Sequence, residues 1–330
     1  MCKKLLFIID EIEVKYFEFN DLVTDFWFIK EFLSRDYSVC IATKNNLFIE
    51  DNQGKVLYNE TYLKDENIFY RKEKNKSLIN DFDVVFFRPD PPVDVDYINA
   101  CYVFDYVDKT KTLLINDPTE VKNFNEKLHI NYFPQYSPKN IVTSSLELIL
   151  DFVKSEKEAI LKPLNRCFGN GVYYLNSEDK NLVTIINNIT NEGKTPVMVQ
   201  QYLSEAKYGD KRVLIIGNTV LNECIQKLPP DNNFKFAIHK DEYFKPTKLT
   251  ENEKNMAQDI ANKLSTKGLF LVGLDVISEK VIEINVTSPC YFIREINQNY
   301  NIHFEEKIMD LLISMIDKHF SKEREYAFNK

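Results

Sequence analysis

Apolar residues in this chain follow two spacings. Leu5-Leu-Phe-Ile-Ile9, Val39-Cys-Ile-Ala42, Val84-Val-Phe-Phe87 and Leu113-Leu-Ile115 are continuous runs, as in strands covered on both faces. Between them, Asp21 to Ser34 repeats Leu22, Phe26, Ile29 and Leu33 at helical spacing, and Tyr97 to Asp108 is expected to be helical. Asn45 to Tyr70 reads as short strands with a turn at Asn52-Gln-Gly54. Strands alternating with helices predict a largely parallel sheet over residues 1–120.

Past that point the order changes. Asn116-Asp117-Pro118-Thr-Glu120 starts a helix: Asp117 is the cap, Pro118 the first helical residue, and Glu120 closes a capping box. That helix is expected to carry Asn125-Glu-Lys127-Leu128. Further helices are expected at Ser145–Ser155, at Asn181–Thr190, from the capping box Thr250-Glu-Asn-Glu253 to Gly268, and at His303–Phe320, with a frayed charged tail after Ser321. Strands are expected at Ala159–Leu164, Val172–Leu175 and Pro196–Leu203. Val213–Ile216 should turn at Gly217-Asn218 and return over Thr219–Ile225. Leu228–Lys248 lacks periodicity and is expected to be a lid or a disordered stretch. The division is an N-terminal α/β domain (1–120) and two α+β units (121–204 and 205–330).

The densest chemistry lies in Val272-Gly-Leu-Asp275 and Glu283-Ile-Asn285-Val-Thr287-Ser288-Pro289. A hairpin at Ser278-Glu-Lys would set Asp275 opposite Glu283 and Asn285, which share a strand face because they are two apart. Three oxygen donors, two of them anionic, suit a hard cation such as Mg²⁺, completed by phosphate and water; the alternative is an edge strand with solvated acids. Lys162 sits inside an apolar strand and needs an anion there. The following loop, Asn165 to Gly171, could fold over phosphates or be a plain turn. Arg88 ends a buried strand before a proline turn, where open α/β sheets bind ligands. It could clamp a carboxylate or pair with Asp90 or Asp94.

Composition removes other classes. The net charge of −8 and the lack of a long basic run exclude a nucleic-acid partner. No stretch is long and apolar enough for a membrane span. The apolar part of the N-terminus is too short for a signal peptide and reads as a strand. Six scattered cysteines without a Cys-x-x-Cys fit a reducing cytoplasm and argue against zinc, and four scattered histidines offer no triad or metal spacing.

In this order the pieces resemble the ATP-grasp ligases, and more narrowly the bacterial glutathione synthetases, over almost the whole chain. The carriers are Arg88-Pro-Asp-Pro-Pro-Val-Asp94, Asn125-Glu-Lys-Leu128, Ile160-Leu-Lys-Pro-Leu164, Gly209-Asp-Lys-Arg-Val-Leu214, Val272-Gly-Leu-Asp275 and Glu283-Ile-Asn-Val-Thr-Ser-Pro289. The resemblance implies a pre-ATP-grasp domain followed by two subdomains clasping ATP. It implies Lys127 and Lys162 on phosphates, with the loop containing Asn165, Gly169 and Gly171 above them. Gln200, Gln201, Tyr202 and Leu203 would lie around adenine. Asp210 and Arg212 would face ribose, phosphate or acyl substrate. Asp275, Glu283 and Asn285 would hold Mg²⁺, or Mn²⁺ in its place, and Arg88, Asn285, Thr287 and Ser288 the peptide substrate. Small peptides, amino acids and a homo-oligomer are the implied partners.

The chain departs from the pattern in three places. Arg166, Cys167 and Phe168 replace a Gly-Met-Gly. Ile238-His-Lys240 replaces a Gly-Gly-Arg. Val14–Thr24 is aromatic and acidic where the family has a Lys-Asp-Ser-type segment. The expected activity is ATP-dependent ligation of γ-glutamylcysteine to glycine. A related carboxylate–amine ligase and a non-catalytic nucleotide-binding module are the alternatives.

Overall fold

The computed structural model describes residues 3–167, 169–229 and 243–328, with side chains as far as Ser321. The first unit is β1 (Lys4–Ile9), α1 (Glu11–Lys15), α2 (Thr24–Ser34), β2 (Ser38–Thr43), β3 (Leu47–Glu50), β4 (Gln53–Lys64), β5 (Asn67–Tyr70), β6 (Asn75–Leu78), β7 (Val84–Phe87), α3 (Val95–Val103) and β8 (Leu113–Ile115). Its sheet runs β3-β4-β2-β1-β7-β8 and is parallel from β2 to β8. The continuous apolar runs are explained by two cores. Leu6 and Ile8 of β1 point into one with Tyr97 and Cys101 of α3; Leu5, Phe7 and Ile9 point into the other with Phe28 and Phe32 of α2. The hairpin turn falls at Asp51-Asn52, both at positive φ, rather than at Asn52–Gly54. Gly54 lies within β4, where a Cβ would stand 2.9 Å from the Val103 carbonyl.

The second unit begins with α4 (Pro118–Lys122), capped by Asp117 through the Thr119 amide at 3.0 Å. Glu120 does not close a capping box; it pairs with Lys267 at 3.1 Å. The helix stops at Lys122, so Lys127 is not helical. Asn125 Oδ1 accepts from the amides of Lys127 and Leu128, an Asx turn that competes with helix continuation. Then follow β9 (Asn140–Thr143), α5 (Leu146–Glu156), β10 (Glu158–Pro163), β11 (Tyr173–Asn176), α6 (Leu182–Ile189) and β12 (Val197–Gln201), with the antiparallel order β11-β10-β12-β9. Ala159 and Leu161 face the core formed with Ile149, Val153 and Ile186; Ile160 and Lys162 face the opposite way, into a cavity.

The third unit holds β13 (Asp210–Ile216), β14 (Thr219–Val220), β15 (Cys224–Lys227), β16 (Phe244–Thr247), α7 (Glu251–Ser265), β17 (Leu271–Ile277), β18 (Lys280–Asn285), α8 (Ile293–Tyr300) and α9 (Phe304–Phe328). Its main order is β16-β15-β13-β17-β18. The capping box of α7 forms as the sequence predicts, and Met256, Ile260 and Leu264 are buried. The return strand after Gly217 is split into β14 and β15, and α9 extends past Ser321 instead of fraying there. Most of the aperiodic stretch (230–242), with Ile238, His239 and Lys240, lies outside the described residues, and its far end is β16, paired with β15.

Asn116 ties the first unit to the third. Its Nδ2 donates to the carbonyls of Leu271 and Val286, each at 2.7 Å. Its Oδ1 accepts from the amides of Phe270 at 2.6 Å and Leu271 at 2.7 Å. Both strands of the acidic hairpin are thereby fixed against the N-terminal sheet.

Candidate functional site

The three units meet around a cavity of about 450 Å³, a size suited to a small-molecule ligand. One wall is the β17–β18 hairpin. Its register sets Asp275 opposite Glu283 and Gly273 opposite Asn285, and the turn is Ser278-Glu279, both at positive φ. Asn285 Nδ2 donates to Asp275 Oδ2 at 3.2 Å and to the Gly273 carbonyl at 3.1 Å.

Each acid here has a cation. Asp275 receives Arg212 Nε at 2.8 Å and Lys227 Nζ at 3.0 Å, and Asp210 receives Lys227 at 2.7 Å. Glu283 receives Lys127 Nζ at 2.8 Å. Gly209 makes the Asp210–Lys227 approach feasible: at its φ of +98° a Cβ would fall 2.2 Å from the Lys227 carbonyl. Burial pushes the Asp275 carboxyl up, but Arg212 and Lys227 outweigh it and hold it below the ordinary carboxylate range. Asp210 goes the other way, raised by burial to about 6. Among the described residues no cluster of three or more His, Cys, Asp or Glu side chains gathers on one ion, so substrate oxygens would have to complete any cation shell.

The sheet of the second unit supplies the opposite wall. Lys162 Nζ donates to Gln200 Oε1 at 2.8 Å and reaches the Ile282 carbonyl at 3.4 Å. Burial pulls its ammonium down to about 8, against the attraction of Glu283. Burial also opposes the charge on Lys127, but Glu283 outweighs it and the pKa rises. Ile160, Ile277 and Ile282 give an apolar floor beside Gln201, Tyr202 and Leu203. Among the described residues, three polar atoms of cavity-lining residues are buried without a partner: Gln200 Nε2, Asp210 Oδ1 and Arg88 Nη1. Buried orphans are costly and mark places where a ligand's atoms would fit.

The glycine loop is placed unevenly. Gly169 lines the cavity, with Arg166 and Cys167 beside it, and the Arg166 carbonyl accepts from Lys127 Nζ at 2.7 Å. Asn165 is exposed and Gly171 packs against Pro163 and Arg166; neither lines the cavity in this structure. Phe168 lies outside the described residues.

Arg88 directly follows β7 and pairs with neither Asp90 nor Asp94. Its Nε donates to Asp25 of α2, and its Nη2 to the Pro289 carbonyl at 3.2 Å. Asp94 is occupied as the cap of α3, and Asp90 accepts from Ser288 Oγ. Thr287 Oγ1 donates to Glu126 at 2.9 Å. The four residues expected to hold a peptide substrate therefore all line the cavity.

Several cavity residues escape the sequence reading. Glu126 is half-buried and accepts from the amides of Val286 at 2.8 Å and Thr287 at 3.0 Å, fixing the end of the acidic strand. Asp25, Lys227 and Glu13 are further charged examples. Glu126 lies inside the Asn125–Leu128 motif, a usable signal; Asp25 and Lys227 sit in stretches that read as an ordinary helix and strand end.

The chain matches the family model of the prokaryotic glutathione synthetase N-terminal domain over residues 4–122, and that of the ATP-grasp domain of the same family over 126–301. It is 32% identical over 302 residues to a glutathione synthetase of Buchnera aphidicola subsp. Baizongia pistaciae, covering 89% of this chain and 92% of that one. It is 38% identical over 222 residues to a glutathione synthetase of Nostoc sp., covering 67% and 68%. In fold it is similar to D-cycloserine synthetase (TM-score 0.64, 13% identity, 95% of this chain and 99% of that one). It is also similar to a RiPP-associated ATP-grasp ligase of Chryseobacterium gregarium (TM-score 0.62, 14% identity, 96% and 97%).

Proposed function

The chain belongs to the prokaryotic glutathione synthetase family, and from that premise we propose how its cavity carries out the reaction. It is an ATP-dependent carboxylate–amine ligase with an ATP-grasp fold that makes glutathione. The observation that carries the site assignment is the meeting of Lys127 and Lys162 with Glu283 and Asp275 in one cavity.

In this reading residues 1–120 form the substrate-side domain, and 121–204 and 205–330 are the two halves of the clasp. Lys127 and Lys162 hold ATP phosphates, exchanging their present acceptors, Glu283 and Gln200, for phosphate oxygens. Gly169 and the backbone beside it cover them. Gln200, Gln201, Tyr202 and Leu203 take the adenine, with the orphaned Gln200 Nε2 as a donor. Asp275, Glu283 and Asn285 hold the divalent cation, which when bound offsets charge on the transferring phosphoryl group. Their oxygen-only donor set fits Mg²⁺, with Mn²⁺ as substitute.

The dipeptide carboxylate attacks the γ-phosphate while Lys162 and Arg212 absorb charge, giving an acyl phosphate and ADP. Glycine's amine attacks that carbonyl and phosphate leaves with its bridging oxygen. Asp210 Oδ1, buried and unpartnered, is the acceptor at which the amine's proton can rest. Arg88, Asn285, Thr287 and Ser288 orient the dipeptide. Among the described residues no helix is long and apolar enough to cross a membrane. A cytoplasmic homo-oligomer is the reading that the family resemblance favours.

The test is ADP release by the purified protein with γ-glutamylcysteine and glycine, with products identified by mass spectrometry. Tripeptide and ADP in equal amounts are expected. ATP binding without tripeptide, but with turnover of another acyl–amine pair, would move the chain to a related ligase.

A further inference from the structure

The cavity wall contributed by the N-terminal unit carries charges that the phosphoryl transfer does not use. Arg88 is 2% exposed and Asp25 is 4% exposed, and they are hydrogen-bonded to each other. Arg88 Nη2 is taken by the Pro289 carbonyl, and Nη1, on a residue that lines the cavity, is buried without an acceptor among the described residues. Glu13 of α1 lines the same wall; one of its oxygens accepts from the Asp10 amide at 3.1 Å. Asp90, at the rim, takes Ser288. One guanidinium thus stands among three cavity-lining carboxylates, Glu13, Asp25 and Asp90. Burial, with the charges of Asp25 and Asp90 added, pushes Glu13 up to about 9, as expected of a carboxyl with no ion-pair partner among the described residues.

The wall therefore lacks two things at once: an anion for Arg88 Nη1 and a cation for the carboxylates. A group bearing a carboxylate and an ammonium on one carbon supplies both. We infer that Glu13 and Arg88 together read the α-amino acid head group of the acyl substrate. Arg88 Nη1 donates to its α-carboxylate, Glu13 accepts from its α-ammonium, and Asp25 is a positioning residue that holds the guanidinium in place. This rests on the ligase reading above, in which the γ-glutamyl end of the dipeptide carries such a head group. Glu13 and Asp25 flank the acidic and aromatic segment where the chain departs from the family pattern, so this selectivity is built from the chain's own residues.

The test is calorimetric binding of γ-glutamylcysteine and of glutaryl-cysteine, which lacks only the α-amino group, to the full chain with ADP and Mg²⁺. A site that hydrogen-bonds a substrate group rejects the analogue lacking it, so wild type should prefer the dipeptide by roughly 30-fold or more. Glu13→Gln, or Glu13→Ala if the first fails to fold, should cut that preference to about threefold or less while leaving glutaryl-cysteine affinity nearly unchanged. Asp25→Asn should weaken both ligands. Equal wild-type affinities, no binding of either ligand, or an undiminished preference in the Glu13 variants would overturn the inference. Tripeptide formation is read separately. Turnover without head-group preference removes this inference alone, and head-group preference without any ligation removes the ligase reading alone.

Discussion

Lys127 and Glu283 meet at 2.8 Å across 156 residues of chain. The contact joins the start of the second unit to the acidic strand of the third. It also presets a competition, because phosphate must take the ammonium that Glu283 now holds. Once relieved, Glu283 is free to ligate a cation. Glu283→Gln keeps the shape and removes the anion, so Mg²⁺-dependent turnover should fall by about 10² or more. Steady-state ADP release checks this, and a loss of only a few-fold would remove Glu283 from the metal site.

Lys162 is held by Gln200 in an otherwise apolar strand. Lys162→Met keeps the volume and drops a buried charge, so the melting temperature should hold or rise while nucleotide affinity falls by about tenfold or more. Calorimetry and a thermal melt on the same sample separate the two. Unchanged affinity would make Lys162 purely structural.

The same lysine predicts a pH effect. Burial lowers its pKa to about 8, so above that pH the empty site holds a largely neutral amine. A triphosphate favours the ammonium, so nucleotide binding at pH 8.5–9 should take up a proton, roughly one at most, and the uptake should vanish towards pH 7, where the group is already charged. Calorimetry in buffers of different ionisation enthalpy measures this. The uptake should be absent in Lys162→Met.

Glu126 supports the end of the acidic strand through two amides and one hydroxyl. Glu126→Ala leaves these donors buried and unpaired, which should cost about 2–4 kcal/mol. Urea denaturation reads the loss, and a shift under about 1 kcal/mol would mean that water replaces the carboxylate.

Much of the fold was legible because burial pattern and periodicity agree. The alternating cores on β1, the α7 capping box and the Asp275–Glu283 register all follow from local spacing. What was not legible depended on partners far away in sequence. Local sequence offers Arg88 only Asp90 and Asp94, but its partner Asp25 comes from a helix 63 residues earlier. Spacing alone extends the helix to Lys127, but the Asx turn at Asn125 competes with it and the helix ends before. Of the loop from Asn165 to Gly171, Arg166, Cys167 and Gly169 line the cavity, a placement that the loop's composition does not specify.

The most direct measurement follows oxygen. γ-Glutamylcysteine labelled with ¹⁸O in both oxygens of its cysteine carboxylate is turned over with ATP and glycine, and the products are weighed by mass spectrometry. The account predicts one ¹⁸O in each phosphate released and one retained in the new amide, because the carboxylate oxygen that attacks the γ-phosphate leaves with it. Glutathione formed with unlabelled phosphate would contradict the acyl-phosphate route and the roles given to Lys162 and Arg212.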